Sequence, residues 1–166
     1  MIQIEHHVKK VTELLWSVNK YELMAKGYGH YKEIQKMLKE AQTVSDYFNV
    51  YQTIKTKKGM PFSHKDVINT LEHIWGYFKS EATFSEKHSF FTMLEEARTY
   101  SSSEYDIYPR DVKKAIGFLA YLLELYPNRY MEQSSIFRPW SEWNMIRLNK
   151  QTINVSEKDY IHPRSL

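Results

Sequence analysis

Apolar residues recur with the spacing of an α-helix along most of this chain, and the pattern is strongest between His64 and Ser80. One stripe of this segment is apolar, whereas a second face is polar and includes a histidine and a glycine. A helix with two such faces belongs at the centre of a bundle, where the glycine admits a neighbouring backbone or a ligand. The apolar stripe consists of Val67, Ile68, Leu71, Ile74, Trp75 and Phe78, and the polar face of Asn69, His73, Gly76 and Ser80.

The same spacing predicts further helices on both sides of this segment. Gly27 ends the first helix as a C-cap, and weak helix formers between Thr43 and Asp46 predict a kink or break in the second. Ser63 is placed to cap the third helix, with Asp66 as its capping-box partner. The predicted helices cover 5–25, 28–57, 64 to between 81 and 84, 85–100 with Ser85 as cap, 109–125 with Pro109 at its start, and a short turn at 129–134.

The regular helical spacing of apolar residues ends at Phe137, where a mixed amphipathic patch rich in tryptophan begins. Residues 151–166 are polar and contain a proline, which predicts a loosely docked tail. No segment alternates with period 2 for long enough to predict a sheet. We therefore expect an all-α, single-domain bundle of five to six helices. Its helical domain spans 1–136, and an irregular C-terminal extension, partly docked or flexible, spans 137–166.

Composition narrows the chemistry without identifying a reaction. The 166 residues are 42% hydrophobic and 26% charged, and the formal net charge of +3 permits a polyanionic partner. The chain has no cysteine, which excludes disulfides, thiolate nucleophiles and iron–sulfur ligation by this chain. The polar N-terminus is unlike a signal peptide, and the longest apolar run, Ala115 to Leu123, is too short to cross a bilayer. We expect a soluble cytoplasmic protein that binds no membrane.

Lysines dominate the first third of the chain, and all six arginines follow residue 97. A lysine row on the exposed side of the second predicted helix can track phosphates, and Tyr28 or Tyr31 nearby can stack on an unpaired base. The alternative is an ordinary solvated helix face with glutamates as neighbours. The candidate nucleic-acid contacts of this region are Lys20, Tyr21, Lys26, Tyr31, Lys32, Lys36 and Lys39.

His73, Tyr77 and Lys79 form the most enzyme-like group, because histidine can transfer protons near neutral pH and the other two can position an anion. The alternative is a core histidine bonded to a carbonyl or a tyrosine hydroxyl. Arg129 either forks onto a phosphate or bonds the last carbonyls of the preceding helix. The histidines and carboxylates lack metal-ligand spacing, so we predict neither a metal nor a cofactor.

Three segments together resemble the YbgA-like family, a bacterial domain of unknown function. They are Trp16-Ser17-Val18-Asn19-Lys20-Tyr21-Glu22-Leu23-Met24-Ala25 followed by Tyr31-Lys32, then His73-Ile74-Trp75-Gly76-Tyr77-Phe78-Lys79, then Tyr121-Leu122-Leu123-Glu124-Leu125-Tyr126-Pro127. The resemblance implies a helical domain that occurs alone or fused behind a thiouracil-desulfurase-like domain. In the fused proteins this domain is thought to help hold tRNA. The desulfurase half has no counterpart in these 166 residues.

Three functions follow as hypotheses. The first is a non-catalytic nucleic-acid-binding module that recognises RNA, tRNA-like in kind, as an accessory to a separate desulfurase-like enzyme. The second is a small enzyme that acts on a nucleobase or nucleotide in a helix-lined pocket around His73. The third is a protein-interaction domain, a weak homodimer through the apolar patch near Trp140 and Trp143.

Overall fold

The protein is helical over most of its length in a computed structural model that describes residues 2–161. The α-helices are α1 (Ile2–Lys26), α2 (Tyr28–Glu40), α3 (Val44–Lys57), α4 (His64–Trp75), α5 (Phe84–Arg98), α6 (Arg110–Leu125), α7 (Arg129–Glu132) and α8 (Lys158–Ile161). The strands are β1 (Phe62–Ser63), β2 (Glu104–Tyr105), β3 (Met145–Leu148) and β4 (Gln151–Asn154), and 3₁₀ turns cover Ser135–Phe137 and Trp140–Glu142. The predicted helical class is confirmed, with eight α-helices among these residues instead of five or six.

Helix α1 is the central element, since it packs on α2, α3, α4 and β3. Its second half joins α4, α5 and α6 around one group of buried side chains, which we name the first cluster. Leu71, Ile74 and Phe78 extend along the predicted apolar stripe and meet Phe90 and Leu119, all essentially without solvent exposure. The apolar stripe of the sequence therefore forms the centre of this core.

The first half of α1 belongs to a separate group of buried side chains, the second cluster. Val11 and Leu15 of α1 meet Val50 and Ile54 of α3 there. Tyr160 of α8 completes this cluster, 5.2 Å from the Tyr51 ring. One helix therefore supplies both cores of a single compact domain.

The predicted break in the second helix is confirmed between Glu40 and Val44. Thr43 caps α3 through a complete capping box. Its hydroxyl accepts from the Asp46 N–H at 3.1 Å, and an Asp46 carboxylate oxygen accepts from the Thr43 N–H at 3.0 Å. Residues that are poor helix formers in the interior are good N-caps, which explains why the chain restarts its helix here. The end of α1 at Lys26, before Gly27, is also confirmed.

The predicted end of α4 between residues 81 and 84 is wrong, because the helix ends at Trp75. The N–H groups of Gly76, Tyr77 and Phe78 each donate to the carbonyl three residues earlier. The chain thus tightens into turns of 3₁₀ type while Phe78 still points into the first cluster. The apolar spacing continues beyond the α-helix, and this continuation misled the prediction.

Two predicted caps also differ from the structure. Ser63 precedes α4 but its side chain makes no capping hydrogen bond. Helix α5 begins at Phe84 with Thr83 as its cap, not Ser85. The side chains of Thr83 and Glu86 each accept a hydrogen bond from the other residue's backbone N–H, which forms a capping box. Such a box needs a glutamate or glutamine three residues after the cap, and Ser85 has a histidine at that position.

Two small sheets were not predicted. Strands β1 and β2 pair through Phe62 and Tyr105, and β3 and β4 form a hairpin from Met145 to Asn154. Each strand has two or four residues, too few for an alternating pattern to stand out in the sequence. The asparagine and lysine at the hairpin turn, Asn149 and Lys150, have positive φ angles of 51° and 66°.

The predicted C-terminal tail is docked through three buried side chains in the part that the structure describes, up to Ile161. Val155, Asp159 and Tyr160 are buried, and the Tyr160 hydroxyl lies 2.7 Å from that of Thr12. A few apolar side chains suffice because α1 and α3 present a ready surface to them. Residues 162–166 of the predicted tail lie outside the described part of the chain.

The predicted tryptophan patch is divided between one exposed and one partly buried side chain. Trp140 is 67% exposed, whereas Trp143 stacks on Tyr51 with ring centroids 6.1 Å apart. The Trp143 carbonyl also accepts a hydrogen bond from Asn19. The two tryptophans therefore differ in exposure, and a homodimer through this patch stays a prediction.

Candidate nucleic-acid interface

Two tyrosines and a lysine cluster at the start of α2. The rings of Tyr28 and Tyr31 stack with centroids 5.8 Å apart, because residues three apart share one side of a helix. The Lys32 ammonium lies 5.6 Å from the centroid of the Tyr28 ring, within the range of cation–π attraction. Tyr28 is 52% exposed, so this ring is open to a ligand.

A cleft of about 470 Å³ lies between this tyrosine pair and α4. On the α4 side Lys65, Asn69 and His73 line it at intervals of four residues, which places them along one edge of the helix. Met24 of α1 and Asp66 of α4 complete the lining. Aromatic rings, an ammonium and an amide around one cleft are the groups with which proteins hold unpaired bases and their phosphates.

A second depression of about 430 Å³ shares Lys65 and Asn69 with this cleft. Arg98 and Tyr100, near the end of α5, line it together with the serines at 101–103. The edge of α4 is therefore common to two polar depressions, each of which also contains an exposed tyrosine. An extended ligand can contact both by crossing that one edge.

His73 is exposed at the mouth of the cleft. The alternative of a core histidine is therefore wrong, since the polar face of α4 turns away from the first cluster. The His73 ring lies 5.7 Å from that of Tyr21, whose hydroxyl is 2.5 Å from the Tyr77 hydroxyl. Tyr21 is 2% exposed, so it positions its neighbours and offers no stacking surface.

Tyr130 extends this aromatic group beyond α4. Its ring stacks on Tyr77 with centroids 6.2 Å apart and planes at 24°. The Lys20 ammonium lies 4.7 Å from the Tyr130 centroid and 5.1 Å from that of Tyr21. A cation held over exposed aromatic surface offers a phosphate and a base their contacts at one place.

The phenol groups of Tyr21 and Tyr130 stay protonated at neutral pH. Burial, followed by the hydrogen bond with Tyr77, raises the pKa of Tyr21 well above its ordinary value. Burial and the nearby Tyr77 raise the pKa of Tyr130 to about 12. The exposed Tyr130 therefore carries a neutral hydroxyl that can donate a hydrogen bond to a phosphate or a base, whereas the buried Tyr21 hydroxyl pairs with Tyr77.

The lysine row of α2 is on the surface, where Lys32, Lys36 and Lys39 are all exposed. Its acidic neighbour Glu33 forms an ion pair with Lys57 of α3 at 2.5 Å. Within residues 2–161, no carboxylate lies within ion-pair distance of the three lysines of the row. Their charges are thus available to an anion.

The remaining predicted contacts are dispersed. Lys26 is buried, its ammonium donates to the Met60 carbonyl at 2.5 Å, and burial lowers its pKa. It therefore serves the α1–β1 packing and lies outside the interface. Lys79 is exposed in the turn after α4. Arg129 is exposed at the start of α7, and the last turn of α6 is closed by the Tyr126 N–H, not by Arg129.

Lys65 lines the cleft but was not predicted as a site residue. Its signal was present, because Lys65 precedes Asn69 and His73 by four and eight residues on the polar face of the same helix. Tyr28 was predicted, as an alternative to Tyr31, to stack on an unpaired base. Its exposure and its stacking depend on where α2 begins, directly after Gly27.

Two features are absent from residues 2–161. These residues contain no group of three or more histidine, aspartate or glutamate side chains arranged to hold a metal ion. None of the helices in this part of the chain is long and apolar enough to cross a bilayer.

Comparison with known proteins identifies the family and no function. No curated protein and no solved structure matches the chain. Residues 20–141, which include α2 to α7 and the cleft, match the family described as "Protein of unknown function (DUF1722)". This match covers more than half of the sequence, so the chain belongs to the DUF1722 family.

Proposed function

We propose that this protein is a non-catalytic RNA-binding module that recognises tRNA-like RNA. The observation that carries the proposal is the cleft between Tyr28, Tyr31 and the edge of α4, with Lys32 beside it and Lys65 within it. Stacking rings next to ammonium groups suit unpaired bases in RNA loops and ends. The exposed lysine row of α2 continues this surface with charges for the phosphate backbone.

The resemblance to the YbgA-like family supports tRNA as the RNA and a thiouracil-desulfurase-like enzyme as the separate partner. In this proposal the module holds the RNA while the partner carries out the chemistry, in the cytoplasm. The chain has no cysteine, so cysteine-bound iron–sulfur chemistry falls to the partner.

A charge-reversal series tests the RNA contact. The triple variant K32E/K36E/K39E is compared with K10E/K87E/K113E, which makes the same change of charge at exposed lysines of α1, α5 and α6. Fluorescence anisotropy with labelled tRNA at several salt concentrations measures affinity. We expect the first variant to lose more than about tenfold in affinity and roughly two units of the logarithmic salt slope. Equal losses in both variants, or no binding by the wild type at low salt, would contradict the proposal.

The stacking contact is tested separately with Tyr28→Ala. Stacking of a base on an aromatic ring contributes about 1–3 kcal/mol, so we expect a weakening of about tenfold or more toward a single-stranded RNA loop. A blunt RNA duplex is the control ligand, because its bases are already stacked on one another. Equal weakening toward loop and duplex would exclude Tyr28 as a stacking platform.

A nucleobase-directed enzyme is the second candidate, favoured by the exposed His73 in a cleft with Asn69 and Asp66. Imidazole can donate or accept a proton near neutral pH. Incubation with nucleosides and tRNA, followed by mass spectrometry of the bases, tests this. A mass change made by the wild type and lost in His73→Ala would favour the enzyme. Unchanged bases would favour the binding module.

A further inference from the structure

The turn of the β3–β4 hairpin holds a lysine in an unfavourable backbone conformation. Asn149 and Lys150 have φ angles of 51° and 66°, and they are the residues other than glycine with positive φ within 2–161. Two-residue hairpin turns of this kind prefer asparagine followed by glycine, because a side chain at the second position meets the backbone. Strained residues other than glycine concentrate at functional sites, which directs attention to Lys150.

Lys150 lies on a depression of about 520 Å³ that is lined by two arginines. Arg147 comes from β3 and Arg129 from the start of α7, while Gln133 and Glu132 complete the lining. Three cationic side chains thus face one carboxylate. Within the described part of the chain, Arg129, Arg147 and Lys150 have no ion pair and no side-chain hydrogen bond.

The chemistry of this depression matches phosphate. Two guanidinium groups can each donate paired hydrogen bonds to phosphate oxygens, and an ammonium adds a point charge. The Gln133 amide can donate a further bond. The aliphatic and aromatic lining of a site for apolar ligands is missing among these five residues.

We propose that Arg129, Arg147 and Lys150 form a binding site for phosphate groups. The source is either the backbone of a bound RNA, in which case the inference rests on the proposed function, or the oligophosphate of a free nucleotide. Arg129 directly precedes Tyr130, which stacks on Tyr77 at the edge of the aromatic group. An RNA strand on that group can therefore reach the site within a few nucleotides.

The site itself is tested with inorganic tripolyphosphate at low salt, followed by NMR of backbone amides in the full chain. We expect saturable shifts centred on Arg147, Lys150 and Gln151. Arg147→Gln and Lys150→Gly should weaken binding by roughly fivefold each, whereas Lys150→Arg keeps the charge and should retain it. Arg110→Gln, at an exposed arginine of α6, is the matched control and should have no effect.

Lys150→Gly also separates binding from folding. Glycine relieves the positive φ angle, so we expect Tm to rise by up to about 3 °C while tripolyphosphate affinity falls. Shifts spread over many lysines, no saturable shift, or wild-type affinity in both Arg147→Gln and Lys150→Gly would overturn the site.

Binding measurements with tRNA on the same variants identify the source of the phosphate. If Lys150→Gly weakens both tripolyphosphate and tRNA binding, the site holds the RNA backbone. If it weakens tripolyphosphate alone, the site serves a free nucleotide, and the cleft variants then report separately on RNA. Loss of tRNA binding in K32E/K36E/K39E with intact tripolyphosphate binding would show that the two surfaces act independently.

Discussion

The two apolar clusters differ in whether they lie within residues 20–141, the segment that matches the family. Every member of the first cluster lies between Tyr21 and Phe137, inside the matched residues 20–141. The second cluster takes Val8, Val11 and Leu15 from before that segment. It also takes Ile146, Leu148, Val155 and Tyr160 from after it. The matched segment therefore contains one complete core and only part of the other.

The two flanking segments complete the second cluster by packing on each other. The Thr12 and Tyr160 hydroxyls are 2.7 Å apart, and the Asn19 side-chain amide donates to the Trp143 carbonyl at 2.8 Å. The cleft lies on α2 and α4, so its floor depends on both clusters. A family segment taken without its flanks would retain the cleft residues and lose the side chains with which the flanks complete the second cluster.

The strongest test of this difference removes a large side chain from the second cluster. Tyr160→Ala should lower the free energy of unfolding by about 4 kcal/mol, because it leaves a cavity against Phe48 and Tyr51. Tyr121→Ala, at a tyrosine that is 49% exposed, is the matched control and should change it by less than about 1 kcal/mol. Urea denaturation measures both. Similar values for the two variants would show that the flanks add no core.

The next test breaks the ion pair where the clusters meet. Glu22 lies on α1 between Tyr21 of the first cluster and Leu23 of the second, and its carboxylate is 2.5 Å from the Lys58 ammonium. Both side chains are buried. Glu22→Gln leaves the Lys58 charge without its partner, and we expect a loss of about 3 kcal/mol in the free energy of unfolding.

The pH dependence of this variant has a defined sign. Burial lowers the pKa of Lys58, and Glu22 partly restores it. Without Glu22 the folded pKa falls further below the ordinary 10.5, so between those values the unfolded chain binds more protons. The deficit of Glu22→Gln relative to wild type should therefore shrink as pH rises from 7 to 10. A deficit that grows with pH would contradict a buried, unpaired ammonium.

We expect the smallest effect from the two capping boxes, one at the start of α3 in the second cluster and one at the start of α5 in the first. Asp46 is the capping-box partner of Thr43 in α3, and Glu86 is that of Thr83 in α5. Glu86 also accepts a hydrogen bond from the Tyr126 hydroxyl at 2.6 Å. Hydrogen bonds from the Gln42 and Thr43 N–H groups lower the pKa of the Asp46 carboxyl. Hydrogen bonds from the Tyr126 hydroxyl and the Thr83 N–H lower the pKa of the Glu86 carboxyl. Their stabilisation is present above the ordinary values of 3.8 and 4.5 and is lost as pH falls below them.

Asp46→Asn and Glu86→Gln should each reduce the drop in Tm between pH 7 and pH 3. The reduction should be larger for Glu86→Gln, because only Glu86 also ties α5 to a residue beyond α6. Scanning calorimetry at the two pH values measures it. An equal reduction would show that the tyrosine bond adds nothing to the cap.

The helices were predictable where the apolar spacing and the end signal agreed. Helix α1 ends directly before Gly27, and α3 begins after its N-cap Thr43, as the preferences of glycine and threonine at helix ends predict. The end of α4 was not predictable from spacing, because Phe78 remains in the core after the α-helix has given way to tighter turns. The β3–β4 hairpin was missed because four residues cannot establish a period, and a surface supplied by α1 determines its burial.

The residue types of the candidate site were predictable from the sequence, but which of them come together in the structure was not. The polar face of α4 and the lysine row of α2 follow from helical spacing alone. The sequence could not separate Lys20, which lies over Tyr130, from Lys26, which is buried against Phe62. That distinction depends on which elements approach the end of α1, and tertiary packing alone decides it.

Helix α1 contributes side chains to both clusters along one continuous backbone. Neither core can open without exposing part of this helix, so the two halves of the molecule should unfold together. Amide protons in the middle of α1 should consequently exchange with solvent more slowly than any others, at a rate set by global unfolding. The tyrosines and lysines of the cleft lie on α2 and α4, which both pack on this helix, so their spacing should stay fixed while a ligand arrives and leaves.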